Sequence, residues 1–276
     1  MSTERELLAI AKRAASTSAA LLRGAHAEQI TSKSNQFDLV TEWDVRSEEA
    51  IRGVLEKETG FPILGEEGGQ SEGTAHEMRW LVDPIDATVN FAHGLPIWSI
   101  SIGLEKTASR EVLLGVVVAP ALGYSFEAIR GHGAFDETGA PLRVSKTSRL
   151  DQAMLTTGFP YDRATNPANN FAQWDHMQRV AGACRRLGCA SLDLCFVARG
   201  WFDGYWERRL SPWDLAAGAV IVVEAGGAVT NTQGGPFDAH SGEAVATNGA
   251  IHGELISELA TSGGAAPGSP REIVRT

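Results

Sequence analysis

The chain has 276 residues, 43% of them hydrophobic, and a formal net charge of -10. That length suits one compact unit with a sizeable core better than two independent domains. The acidic balance argues against a nucleic-acid surface, and no stretch reaches the roughly 18 apolar residues of a membrane span.

The charged start, Met1 to Glu6, lacks a signal-peptide pattern. Cys184, Cys189 and Cys195 form no C-x-x-C pair. They read as free thiols of a cytoplasmic protein rather than as a disulfide frame or zinc site.

In chain order, helical spacing of Leu7, Leu8, Ala11, Ala15, Ala19 and Leu22 predicts a helix from Glu4 to about Gly24. A polar, turn-rich run from Thr31 to Asp44 follows. Taken alone, its Lys33 is a solvated lysine. Val45 to Thr59 reads as a second helix, with Asp44 placed as its N-cap. Pro62-Ile63-Leu64 is a short strand running into Gly65-Glu66-Glu67-Gly68-Gly69, and Gln70 to Glu77 is a polar loop.

Trp80-Leu81-Val82 reads as a buried strand that Pro84 ends, since proline has no N–H to donate. Asp83 and Asp86 can then point into one small volume. Two anions that close repel unless a positive charge sits between them, and dense oxygen ligands suit a hard cation such as Mg²⁺. Ala87 and Thr88 stand at a helix start, where free backbone N–H groups can hold an anion. Carboxylates for a metal beside amides for a phosphate point to phosphoester chemistry.

Trp98 to Leu104, Glu111 to Ala119, Gly123 to Ile129, and the runs through Phe135 and Val144 predict antiparallel strands. A second half opens with a strand at Met154 to Gly158. Helices are expected over Asn166 to Val180 and Ser191 to Ala198, then a strand over Phe202 to Glu207. Ser211 can cap the next helix, Pro212 suits its first position, and Asp214 lies in its first turn. The residues from Leu215 to Val223 are apolar on every face, so that helix is buried. A strand at Ala244 to Thr247 and a helix from Ile251 to Ala260 close the pattern. The whole is a single compact domain over 1–261, with sub-layers of about 1–150 and 151–261, followed by a flexible tail over 262–276 rich in Gly, Ala, Pro and Ser.

Gly65-Glu66-Glu67, Asp83-Pro84-Ile85-Asp86-Ala87-Thr88 and Trp213-Asp214 with Ala217-Gly218, in that order, resemble the inositol monophosphatase family. The resemblance spans about Leu7 to Ala260 and includes the Lys33 to Asp44 and Gly188 to Glu207 runs. It implies an α+β, layered αβαβα fold with two mixed or antiparallel sheets, and a Mg²⁺-dependent, lithium-sensitive phosphatase. By that resemblance Glu66, Asp83 and the Ile85 carbonyl hold one Mg²⁺. Asp83, Asp86 and Asp214 hold a second, and a third, weaker ion lies near Glu66. Thr88, bonded to Asp44, orients the attacking water. The amides of Ala87 and Thr88 take the phosphate. Asp86, Ala190 and Glu207 contact substrate hydroxyls, with Lys33 nearby as a positive charge.

Two departures stand out: Ala87 replaces the family's usual Gly, and Val89 its usual Thr. The expectation is that Ala87 keeps a negative φ, with its N–H toward the phosphate and its methyl away from the metals. The substrate expected is inositol monophosphate or a similar small monoester, hydrolysed by a homodimer. Fructose 1,6-bisphosphate, 3'-phosphoadenosine 5'-phosphate and histidinol phosphate are alternatives within the class. No basic or aromatic cluster clearly suited to a nucleotide is visible along the sequence. A non-catalytic regulator is the alternative of another class, supported by Ala87 alone and opposed by the intact acids.

Overall fold

The computed structural model describes residues 3–71 and 77–262. Residues 72–76 of the expected polar loop, and the expected tail from 263 onward, lie outside the described residues. The chain opens with helix α1 (Glu4–Leu21) and a hairpin of β1 (Ile30–Ser32) and β2 (Leu39–Thr41). Helix α2 (Glu42–Thr59), β3 (Ile63–Gly65), β4 (Gly69–Gln70), β5 (Met78–Asp86) and the short α3 (Thr88–Ala92) follow. Four antiparallel strands come next: β6 (Ser99–Lys106), β7 (Val112–Ala119), β8 (Tyr124–Ile129) and β9 (Ala134–Asp136). The second half runs β10 (Met154–Thr157), α4 (Phe171–Val180), β11 (Ala183–Arg185), α5 (Ala190–Ala198), β12 (Gly204–Arg208), α6 (Pro212–Glu224), β13 (Ala228–Thr230), β14 (Glu243–Thr247) and α7 (His252–Ser262).

A seven-stranded sheet has the order β4-β3-β5-β6-β7-β8-β9, and a five-stranded sheet the order β11-β10-β12-β14-β13. The expected layering αβαβα is what forms. Strand alternation explains it. On β6, Ile100, Ile102 and Leu104 turn to the cluster shared with α1 and α2, while Ser99, Ser101 and Gly103 face the other way. That inner face packs on α6, which with α5 fills the layer between the sheets. Helices α4 and α7 cover the far side of the small sheet.

Helix α6 lies hard against the large sheet, and glycine permits it. A Cβ on Gly115 would stand 2.6 Å from the Ala217 backbone, and one on Gly103 would stand 3.0 Å from the Ala216 methyl.

Two local expectations are corrected. The central strand does not stop at Pro84 but runs on to Asp86. Its register with β6 shifts between Asp83 and Asp86, so Pro84 sits in a bulge where no ladder N–H is required. The second helix begins at Glu42, with Thr41 as its N-cap. Asp44 is the third helical residue, and its Oδ2 accepts from Thr41 N at 2.8 Å.

Candidate active site

The parallel pairing of β3 with β5 sets Gly65 beside Val82, and the Glu66 N–H donates to the Val82 carbonyl at 3.2 Å. That register delivers Glu66 next to Asp83. Asp83 and Asp86 flank the bulge of β5. The Asp83 Oδ1 accepts from the Ile85 N–H at 3.0 Å, which orients its carboxylate. Asp86 is fixed from the second half: its Oδ2 accepts from Ser191 N at 2.7 Å and Ser191 Oγ at 2.6 Å, at the start of α5. Asp214, third residue of α6, accepts from the Ser211 N–H at 2.7 Å.

These four acids line one cavity of about 300 Å³ together with Lys33, Ile85, Ala87, Thr88, Ala190 and Glu207. Asp44 is fully buried behind the wall, and its Oδ1 accepts from Thr88 Oγ1 at 2.9 Å. The same hydroxyl lies 3.1 Å from the Ile85 carbonyl. Every residue singled out in the sequence is thus in the wall or directly behind it.

Burial pushes the Asp83 carboxyl well up, and repulsion from Glu66, Asp86 and Asp214 adds to it. Asp214 is raised by burial and by Asp86 and Glu66. Asp86 is raised by burial, against the Ser191 donors. Glu66 is pushed up to about 7 by burial, although the ammonium of Lys33 opposes it. Lys33 Nζ contacts Glu66 Oε1 at 2.8 Å and Glu67 Oε1 at 2.5 Å. Burial lowers the Lys33 pKa, but the two glutamates outweigh it and keep the ammonium charged.

Among the described residues, no three His, Cys, Asp or Glu side chains are already set as a metal cage. The donor set nonetheless fits a hard divalent cation. It is all oxygen, it is acidic beyond what one lysine neutralises, and crowding makes its full charge unfavourable without a cation.

Ala87 departs from expectation. Its φ is 76° and ψ 50°, in the left-handed region, not the negative φ expected. The chain must turn sharply from the bulged end of β5 into α3, and that geometry overrides the alanine preference at a cost of roughly 1–2 kcal/mol. Neither the Ala87 nor the Thr88 amide has a hydrogen-bond partner among the described residues.

Glu207 is buried on β12, where its Oε2 accepts from Tyr205 Oη at 3.0 Å. Burial raises it to about 7. Sequence reasoning did not single out Ser191, which clamps Asp86 from 105 residues away. It also passed over Tyr161, Arg186 and Arg209 in the cavity wall. None of these carries a local signal, because only the packing of the two halves brings them together.

The model of the "Inositol monophosphatase family" matches residues 3–263. An inositol-1-monophosphatase of Synechocystis sp. is 41% identical over 236 residues, covering 85% of this chain and 81% of that protein. The Nus factor SuhB of Pasteurella multocida is 40% identical, covering 84% of this chain and 85% of its own. The solved structure of inositol monophosphatase from Anabaena (Nostoc) sp. superposes with a TM-score of 0.84 at 37% identity, over 93% of this chain and 96% of that one.

Proposed function

The chain belongs to the inositol monophosphatase family, and from that premise we propose that it is a Mg²⁺-dependent phosphatase of small phosphate monoesters, inositol monophosphate first among them. The observation that carries this reading is the convergence of Glu66, Asp83, Asp86 and Asp214, from three separate parts of the chain, on one cavity beside Ala87 and Thr88.

In this reading Glu66, Asp83 and the Ile85 carbonyl would hold one Mg²⁺. Asp83, Asp86 and Asp214 would hold a second, and a third, weaker ion would be held near Glu66. Cations bound there would supply charge neutralisation at the phosphoryl group and activation of water. The protein positions the rest. Thr88 donates to Asp44, leaving lone pairs of its hydroxyl to accept from the attacking water and aim it. The Ala87 and Thr88 amides donate to phosphate oxygens. Glu207, Asp86 and the Ala190 backbone hold hydroxyls of the departing alcohol, so a polyol is favoured over a plain alcohol. Lys33 keeps the acidic mouth passable to an anion.

Phosphate release from inositol 1-phosphate that requires Mg²⁺ and falls with added lithium is the expected result. A panel with fructose 1,6-bisphosphate, 3'-phosphoadenosine 5'-phosphate and histidinol phosphate ranks the alternatives. Failure on every monoester at any Mg²⁺ concentration sinks the reading.

A non-catalytic regulatory role is the second reading. It is favoured by the left-handed Ala87 and by similarity to a Nus factor. The complete acid set weighs against it. We place the protein in the cytoplasm as a homodimer. The three buried free cysteines agree with a reducing compartment, and sedimentation tests the dimer. Among the described residues no helix is long and apolar enough to cross a membrane.

A further inference from the structure

A second space opens beside the catalytic cavity, and the chemistry above leaves it without a role. It is an open groove of about 820 Å³, shallower and more solvent-facing than the catalytic cavity of about 300 Å³, and shares Pro160, Tyr161 and Arg209 with it. Its walls come from the turn between β1 and β2 and from the segment that follows β10. Two aromatic residues stand in them half-exposed, Phe37 at 37% and Tyr161 at 44%.

The walls are braced. The Arg163 guanidinium lies over the Phe37 ring, 4.6 Å from its centroid, and so ties one wall to the other. The turn carrying Phe37 is closed by Asp38, whose Oδ2 accepts from Ser34 Oγ at 2.6 Å, and by Asn35, whose Oδ1 accepts from the Phe37 N–H at 2.9 Å. Arg209 has a φ of 63°, a conformation that side-chain-bearing residues rarely adopt. From there it reaches Asp162 at 2.8 Å. Such backbone persists where its surroundings over-determine it, and it clusters at ligand sites. Tyr161 links the two spaces, since it lines both of them.

We propose that this groove is a leaving-group subsite for the flat, apolar-faced part of a monoester's alcohol. The inference rests on the phosphatase reading of the neighbouring cavity. With a phosphate and cations in place, about 300 Å³ leaves room for one compact ring, so a bulkier alcohol must extend past Tyr161. Flat apolar faces suit the two rings. Of the cations at these walls, Arg209 is already paired with Asp162 and the Arg163 guanidinium is stacked on the Phe37 ring, so the aromatic faces are what the space offers a ligand first.

The test compares 1-naphthyl phosphate with inositol 1-phosphate in the full-length protein. Phe37→Ala should raise KM for the naphthyl ester about five- to tenfold, while kcat/KM for inositol 1-phosphate stays within about twofold. Ala164→Trp, which fills the groove from a position outside the catalytic cavity, should depress the naphthyl ester selectively as well. Equal changes on both substrates, or none on the naphthyl ester, overturn the subsite. Should no monoester be hydrolysed, the phosphatase reading falls on its own. The subsite is then judged by equilibrium binding of 1-naphthyl phosphate, read by naphthyl fluorescence. Weaker binding in Phe37→Ala supports it, and unchanged binding overturns it.

Discussion

Two strand-to-helix turns supply three of the four acids, and they are built differently. The turn from β5 to α3 carries Asp83 and Asp86 on a bulge and passes through a left-handed Ala87 into a five-residue helix with no side-chain cap. The turn from β12 to α6 also contains a strained residue, Arg209, but Asp214 lies five positions further on, inside a thirteen-residue helix that Pro212 starts. Asp214 is oriented locally, by Ser211. The first turn depends on remote partners: Ser47 Oγ donates to the Pro84 carbonyl at 3.0 Å, and Ser191 holds Asp86. In one turn the acid's own position is set by its neighbours in sequence, although Arg209 before it is held by remote partners. The other is imposed by packing, and its shape is maintained against a local cost.

The largest break is expected from Asp83→Asn. Activity should fall at least about a thousandfold, or about 4 kcal/mol, with only partial rescue by high Mg²⁺. In chelator the same variant should melt higher than the wild type, since it removes one of four mutually repelling carboxylates. Asp214→Asn should be rescued further by Mg²⁺, because in the proposed assignment Asp214 serves one ion and Asp83 two. Wild-type turnover in Asp83→Asn at ordinary Mg²⁺ would remove Asp83 from the ligand set.

Thr88→Ala tests the residue just after the strained turn. Loss of a water-orienting hydroxyl should lower kcat by about 10²–10³ while KM barely moves. A change confined to KM would instead make Thr88 a substrate contact.

Glu207, on the strand leading into the second turn, gives a pH test. Its folded pKa lies above its ordinary value of 4.5, near 7. Its contribution is therefore fully present below pH 4.5 and is lost as pH rises through about 7. Chelated wild type should lose stability as pH rises from 4.5 to about 7, and Glu207 should account for at most about 3.4 kcal/mol of that loss at 1.36 kcal/mol per pH unit, the other raised acids adding to it. Denaturant melts of Glu207→Gln should show a flatter slope. An unchanged slope would show that other acids set it.

Ala87→Gly should have the smallest effect. Glycine relieves the left-handed strain, roughly 1–2 kcal/mol, but frees the unfolded chain by about 0.4–1 kcal/mol. A gain of between about 0 and about 1.6 kcal/mol is expected, seen as an equal or slightly higher melting midpoint, with kcat/KM changed by less than about tenfold. A far larger rate gain would show an impaired enzyme and favour the regulatory reading.

The start of α6 was legible because Ser211, Pro212 and Asp214 act within a few residues of one another. The layered fold and the acid set were legible through resemblance and order along the chain, with the amphipathic pattern of α1 in support. Asp44 was misplaced because Thr41 and Asp44 are both good cap residues, and the reciprocal bonding that makes Asp44 the third helical residue shows only once the turn is formed. The hairpin carrying Lys33 has three-residue strands without apolar alternation, so no period marked it. The φ of Ala87 and the end of β5 follow from pairing with β6, which local preference does not encode. The aromatic groove was invisible because Phe37 and Tyr161 belong to distant segments.

The contact between Gly115 and Ala217 makes the depth of α6 a dimensional gauge for the acid cluster. Asp214 rides on that helix three residues before Ala217, while Asp83 and Asp86 ride on the sheet against which the helix rests. A methyl group at 115 would have to lift the helix, since its neighbours at 2.6 Å are backbone atoms. The opening between Asp214 and its partners would widen although every ligand is retained. The choice of ion by radius is thus adjustable from a site that touches no ion. Activation of Gly115→Ala should shift from Mg²⁺ toward the larger Mn²⁺, and an unaltered preference would show that the acids move independently of the helix.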